Sequence, residues 1–259
     1  MPAAADLIYR YDGTFAGLLC CVFESYAAHE LPSAIWGPEV LSGSLFGVKQ
    51  IQTEPVKAAR VERSWPGKLG AEAEELVRLA FFTCLPDKEL LILRFLRQAY
   101  HYGPRILQFA GEENVHRLQE GVKHLLSEAH LLKGFIRFSV QQNVLVTTIG
   151  PKNYVLPFLA HHFSERYPEE HILIYDETHH MALIYRPYEV GIIPMDEFLA
   201  APPDEEERRF RGLWQIFYDA IEIRPRHNET CRRTLMPKRY WSYMTEFCRS
   251  SDAQGLTRI

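Results

Sequence analysis

The chain has little of what the familiar catalytic motifs need. Its five cysteines, Cys20, Cys21, Cys84, Cys231 and Cys248, are odd in number and scattered. No CxxC pair and no CxxxCxxC triplet occurs, which removes a zinc ribbon, a thioredoxin motif and a radical-SAM cluster. Reduced and mostly buried thiols are the expectation. Neither GxxxxGKS/T nor GxGxxG occurs, so nucleotide-binding enzymes of those classes have no sequence support. There is no GxSxG elbow and no HExxH pair. No repeat or low-complexity block is present. The run over 18–23 is too short to span a bilayer, and residues 1–6 lack a charged start to an export signal. The sequence therefore reads as cytoplasmic, with no membrane segment and no cofactor.

Positive charge is also scarce. Lys and Arg number 29 against 33 Asp and Glu, a formal net charge of -4. A general, histone-like binder of polyanions is excluded, and any phosphate contact must come from a local patch. One patch exists. Arg232, Arg233, Lys238 and Arg239 lie around Pro237, with Tyr240 and Trp241 directly after and Arg224, Arg226 and His227 upstream. Cations attract phosphate, and flat aromatic faces can receive a base. The alternative is structural: the aromatics pack on the core while the arginines cover helix ends or pair with the acidic linker over 204–207.

With 47% hydrophobic and 24% charged residues, the chain is of ordinary globular composition. Strands are expected over 7–11 and 46–53, the first followed by an Asp12-Gly13-Thr14 turn that caps a helix. Pro55 starts a helix that Pro66-Gly67 breaks. Two more run over about 71–82 and 87–102, the second apolar enough to be central. The clearest helix covers 112–132 and is ended by Gly134. The period then switches to two. Strands over 135–140 and 144–149 flank a turn at Gln141-Gln142-Asn143, a short helix covers 154–167, and a second hairpin pairs 171–175 with 181–185. Residues 189–198 are mixed, and a helix runs over 208–223. The fold class is α+β, with a helix-rich N-terminal half packed with a small antiparallel sheet of two hairpins around a helix, and a C-terminal helix. The strands before Thr53 can join that sheet. A single domain over 1–249 is expected: 1–133 mainly helical, 134–200 the sheet, 207–249 a helix plus the basic segment, with 250–259 a disordered tail.

Several segments together resemble a known family. They are Tyr11-Asp12-Gly13-Thr14-Phe15 with Gly17-Leu18-Leu19; Glu128-Ala129-His130 with Gly134-Phe135-Ile136-Arg137-Phe138; Leu156-Pro157 with His162-Phe163; Ile174-Tyr175-Asp176-Glu177; and the run from Met236 to Trp241. In this order they resemble an uncharacterised bacterial family of DNA metabolism proteins, a domain of unknown function. The resemblance extends over about 7–246. It implies a genomic neighbour, a DNA modification or repair radical-SAM protein, and a similar domain fused to uracil-DNA glycosylase-like proteins. It implies no reaction. The turn Thr178-His179-His180 departs from the shorter Arg-Gly turn expected there.

Three functions follow. The first is a DNA-binding accessory protein that presents DNA to a radical-SAM partner through Arg137, Arg224, Arg226, Arg232, Arg233, Lys238, Arg239, Tyr240 and Trp241. The second is a nucleic-acid hydrolase or glycosylase-like enzyme using Asp12, His130 or Asp176 as acid or base. For Asp12 and Asp176, turn chemistry alone accounts for the residue type. His130, His162 and Asp176 would be the set for a metal, but no ligand spacing supports one, and none is expected. The third is a protein–protein adaptor anchored by Tyr240 and Trp241.

Overall fold

The computed structural model describes residues 4–40, 45–109, 111–223, 225 and 227–248. The expected tail over 250–259 lies outside them. The chain divides into two compact units, Met1–Leu125 and Leu126–Ile259.

The first unit opens with β1 (Ala4–Arg10), α1 (Phe15–Ala27), β2 (Leu31–Trp36) and β3 (Gly47–Gln50). These strands do not join a sheet with the later hairpins. They form a separate parallel sheet in the order β2-β1-β3, with Ile8 opposite both Ala34 and Val48. Parallel neighbours need a crossover, and α1 supplies it between β1 and β2. Pro32 cannot donate to a ladder, which suits β2 to the sheet's edge.

Four helices follow: α2 (Pro55–Arg63), α3 (Trp65–Lys68), α4 (Ala71–Ala80) and α5 (Lys88–Tyr102). The helix from Pro55 ends at Arg63, just ahead of Pro66, and Pro66 and Gly67 lie inside the next short helix α3, where a proline at the first turn forfeits only an orphan N–H. In α5, Leu90, Leu91, Ile92, Leu93, Phe95, Leu96 and Ala99 are all buried, so the helix is enclosed on most sides. Trp65, Tyr9, Leu18 and Leu19 complete the core around it.

The turn after β1 is held by a small polar cluster. Asp12 Oδ1 accepts from the Thr14 amide at 2.9 Å and its hydroxyl at 2.7 Å, and Oδ2 accepts from the Thr53 hydroxyl at 2.7 Å. Thr14 in turn caps α1 by accepting from the Gly17 amide at 2.9 Å. Burial raises the Asp12 pKa, but hydrogen bonds from Thr53 and Thr14 outweigh it and hold the carboxyl below its usual range.

The long helix α6 (Glu113–Phe135) begins in the first unit and ends in the second. Gly134 does not end it; the helix runs one residue further. The second unit continues with β4 (Ser139–Gln141), β5 (Val144–Ile149), α7 (Leu156–Arg166), β6 (His171–Asp176), β7 (Met181–Arg186) and β8 (Glu189–Pro194). The β4–β5 turn is Gln142-Asn143, both with positive φ as a two-residue hairpin requires. The sheet has the order β4-β5-β6-β7-β8 and is mixed rather than antiparallel. The reason is α7: a helix between β5 and β6 returns the chain in the same direction, so these two strands pair in parallel with Ile149 opposite Asp176. The mixed stretch after Pro187 supplies β8, an edge strand. After it come α8 (Glu205–Ala220), α9 (Glu229–Leu235) and a 3-10 segment, Lys238–Tyr243. Among the described residues no helix is long and apolar enough to cross a membrane.

Gly17 tests the Asp12 turn. A Cβ there would collide with Asp12 Oδ1 and lie 2.8 Å from Thr53 Oγ1. Gly17→Ala is expected to destabilise the first unit by roughly 1–3 kcal/mol, read as a lowered urea midpoint. An unchanged midpoint would show that the cluster can shift freely.

Candidate nucleic-acid interface

The basic C-terminal segment is anchored by a carboxylate from α6. Glu128 has 1% of its side chain exposed, yet it accepts five hydrogen bonds. Two come from the amides of Lys152 and Asn153 at 3.0 and 2.8 Å, and a third from Asn153 Nδ2 at 2.6 Å. The others come from Arg239 at 2.8 Å and the Tyr240 hydroxyl at 2.7 Å. Burial alone would raise the Glu128 pKa, but these donors reverse the sign and hold it below the ordinary value of 4.5. The Tyr240 phenol is pushed up by burial and by the Glu128 carboxylate, with Arg239 opposing.

This geometry redistributes the residues singled out in the sequence. Tyr240 is fully buried and its hydroxyl is committed to Glu128, so its ring offers no face to a base. Arg239 is engaged by the same carboxylate and also covers the Tyr240 ring, 4.5 Å from its centroid. Arg137 pairs with the buried Glu246 at 2.7 Å, donates to the Gly134 and Ile136 carbonyls and stacks on Trp214. Arg224 and Arg226 lie outside the described residues.

Four members keep an open side. Trp241 is half-buried and stacks on Phe247, with centroids 4.4 Å apart and planes 12° apart. Arg232 and Lys238 sit over its ring at 5.3 and 5.7 Å. Arg232 Nε is buried without a hydrogen-bond partner among the described residues. Arg233 is exposed and 2.5 Å from Glu229 on the same helix, and its hydrogen bond lowers the Glu229 pKa. Asn228 caps α9 by accepting from the Cys231 amide, which presents Arg232 and Arg233 in the last turn.

The acid–base candidates are divided between the two units. Asp12 belongs to the first unit and is taken up by its turn. His130 is exposed within α6 rather than at its end. Asp176 ends β6, is fully buried and accepts from the Thr178 and His179 amides. Its Oδ2 lies 2.7 Å from His179 Nδ1, a partner the sequence reading did not pair with it. The Tyr154 ring sits edge-on to His179 at 5.4 Å. Beside them Tyr243 donates to Glu177 and covers Gly150. Burial, then Lys133 and Arg166, lowers the His162 pKa. Among the described residues no three His, Cys, Asp or Glu side chains are placed to hold a metal ion.

The helix α8 is reversed in polarity. Its side chains Glu207 and Arg211 bond Ser139, and Gln215 donates to the Thr245 and Cys248 carbonyls at 2.9 Å. On the other side Phe210, Ile216 and Phe217 are 59%, 66% and 50% exposed, joined by Leu213 and Ile221. No residue of α8 is buried. The apolar spacing is visible in the sequence, but periodicity does not say which face turns outward.

Glu128 invites a pH test. A carboxyl whose folded pKa is depressed adds stability that is complete above its unfolded pKa and is lost as pH falls through the folded value. Glu128→Gln is expected to cost about 3 kcal/mol at pH 7, because it breaks a buried ion pair. Urea midpoints of variant and wild type are expected to converge on acidification below pH 4.5. A gap independent of pH would remove the carboxylate's charge from the explanation.

No curated protein matches the chain. Among solved structures it is similar to the pGpG-specific phosphodiesterase PggH from Vibrio cholerae, at 15% identity, over 69% of this chain and 80% of that one. The TM-score is 0.30, and a likeness of that size carries no argument. A family model matches residues 86–246, which include the Glu128 anchor, the sheet, α8 and the basic segment. The chain therefore belongs to the family of the domain of unknown function DUF4130.

Proposed function

We propose that the chain is a DNA-binding accessory protein in DNA repair or modification, which holds DNA for a radical-SAM partner. The partner and the pathway rest on the family resemblance of the sequence. The observation that supports the DNA contact is the exposed Lys238 over the Trp241 ring, on a segment that Glu128 pins through Arg239 and Tyr240, with Arg233 exposed on the helix just before it. Cations fixed to a rigid base lose less freedom on meeting phosphate than cations on a loose tail. Lys152 is exposed on the loop whose amide Glu128 holds, and it adds to the same charge.

The outward apolar face of α8 supports the accessory part of the reading. An exposed patch of five large apolar side chains is of the kind that marks a protein partner. It replaces Tyr240 as the anchor for the adaptor alternative. The enzyme alternative has one supporting observation, the buried Asp176 orienting His179, an arrangement that fixes a ring for proton transfer.

Two measurements separate these readings. Anisotropy with labelled single- and double-stranded DNA is expected to show affinity that falls steeply with salt. Arg233→Ala/Lys238→Ala is expected to lower the log–log salt slope by about two. Salt-independent or absent binding would overturn the DNA reading. Phe210→Asp/Phe217→Asp is expected to leave DNA affinity unchanged while abolishing co-elution with the radical-SAM protein. Co-elution that survives would remove α8 from the partner surface.

A further inference from the structure

The first unit carries a cleft of about 640 Å³ between α1, α2, α3 and α5. Its lining residues other than Tyr100 precede residue 86, where the family match begins. The volume is that of a small-molecule site. Val22, Phe23, Tyr26, Val61 and Tyr100 make the walls. Tyr26 and Tyr100 meet edge to face with centroids 5.6 Å apart, which fixes both rings. Arg97 stacks on Tyr26 at 4.7 Å while donating to the Ser25 and Glu30 carbonyls, which further fixes the Tyr26 ring.

The polar groups at this cleft share one sign. Arg60 and Lys68 are exposed at it, and neither pairs with a carboxylate among the described residues. The cations beside them do pair: Lys57 with Glu54 at 2.6 Å, and Arg78 with Glu62 at 3.1 Å. Among the described residues no Asp or Glu lines the cleft. The Tyr100 hydroxyl is taken by Ser64 at 2.6 Å, whereas the Tyr26 hydroxyl makes no hydrogen bond among the described residues. Burial raises the Tyr26 pKa, so the group remains a proton donor. The site thus offers apolar walls, two cations without a carboxylate partner, of which Arg60 lies over the Phe23 ring at 5.6 Å as Lys57 also does, and one unused hydroxyl.

We infer that this cleft binds a small aromatic anion. The ring of the ligand lies against Phe23 and Tyr26, and its carboxylate or phosphate is met by Arg60 and Lys68, with the Tyr26 hydroxyl as a further donor. A neutral aromatic molecule satisfies only the walls. A polyanion such as DNA has charge for the two cations but no need of an apolar chamber. The inference is independent of the DNA contact proposed for the second unit.

Isothermal titration of the full chain with three probes tests it: 2-naphthoate, 2-naphthyl phosphate and the neutral 2-naphthalenemethanol. At least one anion is expected to bind about tenfold or more tightly than the alcohol, since hydrogen bonds to charged groups contribute on that scale. The comparison of the two anions identifies the headgroup. Arg60→Gln/Lys68→Gln is expected to abolish the preference and leave the alcohol's affinity unchanged. These side chains are exposed, so the variant retains its fold, which its urea midpoint checks. Ala27→Trp, at an exposed lining position, is expected to exclude all three probes and thereby separate the cleft from the apolar face of α8. Equal affinity for anion and alcohol, a preference that survives the double substitution, or no binding by any probe would overturn the inference.

Discussion

The second unit depends on one buried carboxylate. Removing an anion from water costs several kcal/mol unless its lone pairs are met. Glu128 meets that condition by gathering donors from segments far apart in sequence: the loop after β5 and the 3-10 segment near the C-terminus. The constraint runs in both directions. The loop amides at Lys152 and Asn153 would be orphaned without Glu128, and Tyr240 would have a buried hydroxyl without an acceptor. A neutral or apolar residue at this position would leave those donors unmet. The basic run is therefore first a docking device, and only its outer members are free to face solvent.

That division explains how an acidic chain carries a concentrated positive segment. Arg137 and Arg239 are neutralised by Glu246 and Glu128, both nearly inaccessible, and contribute to cohesion. Arg232 gives its charge to an aromatic layer made with Trp241 and Phe247. The cations left facing outward sit on a framework that the inner ones hold. The reversed polarity of α8 fits the same economy of contacts: its polar side is consumed by Ser139 and by carbonyls after Met244. Its apolar side is left for another surface.

Local patterns carried much of this fold in the sequence. The period-two runs, the Gln142-Asn143 turn, α7 and the length of α5 and α6 follow from spacing and turn chemistry. The Asp12 turn follows from its residue types. What depended on pairing was hidden. Two hairpins around a helix look antiparallel until the helix is seen to make β5 and β6 parallel. Pro32 masks β2, and β8 alternates too weakly to separate it from a loop. At the site, Glu128 stood out only as part of a motif, because its partners all lie 24 or more residues further along the chain. His179 lay in a turn that looked merely irregular, and only the fold shows that its ring meets Asp176. The direction faced by α8 is a tertiary fact with no local signal.

The strand order of the first sheet has a consequence for how that unit is assembled. β1 lies in the middle, yet both of its partners come later in the chain. During synthesis the central strand leaves the ribosome before either flank exists, and its two open edges wait until residue 50 has followed. Parallel pairing across such gaps is slow to form and exposes unpaired edges meanwhile. Shortening the chain ahead of Tyr11 would not trim a border of the sheet. It would take out the strand on which the other two are hung, leaving β2 and β3 with no neighbour to bond.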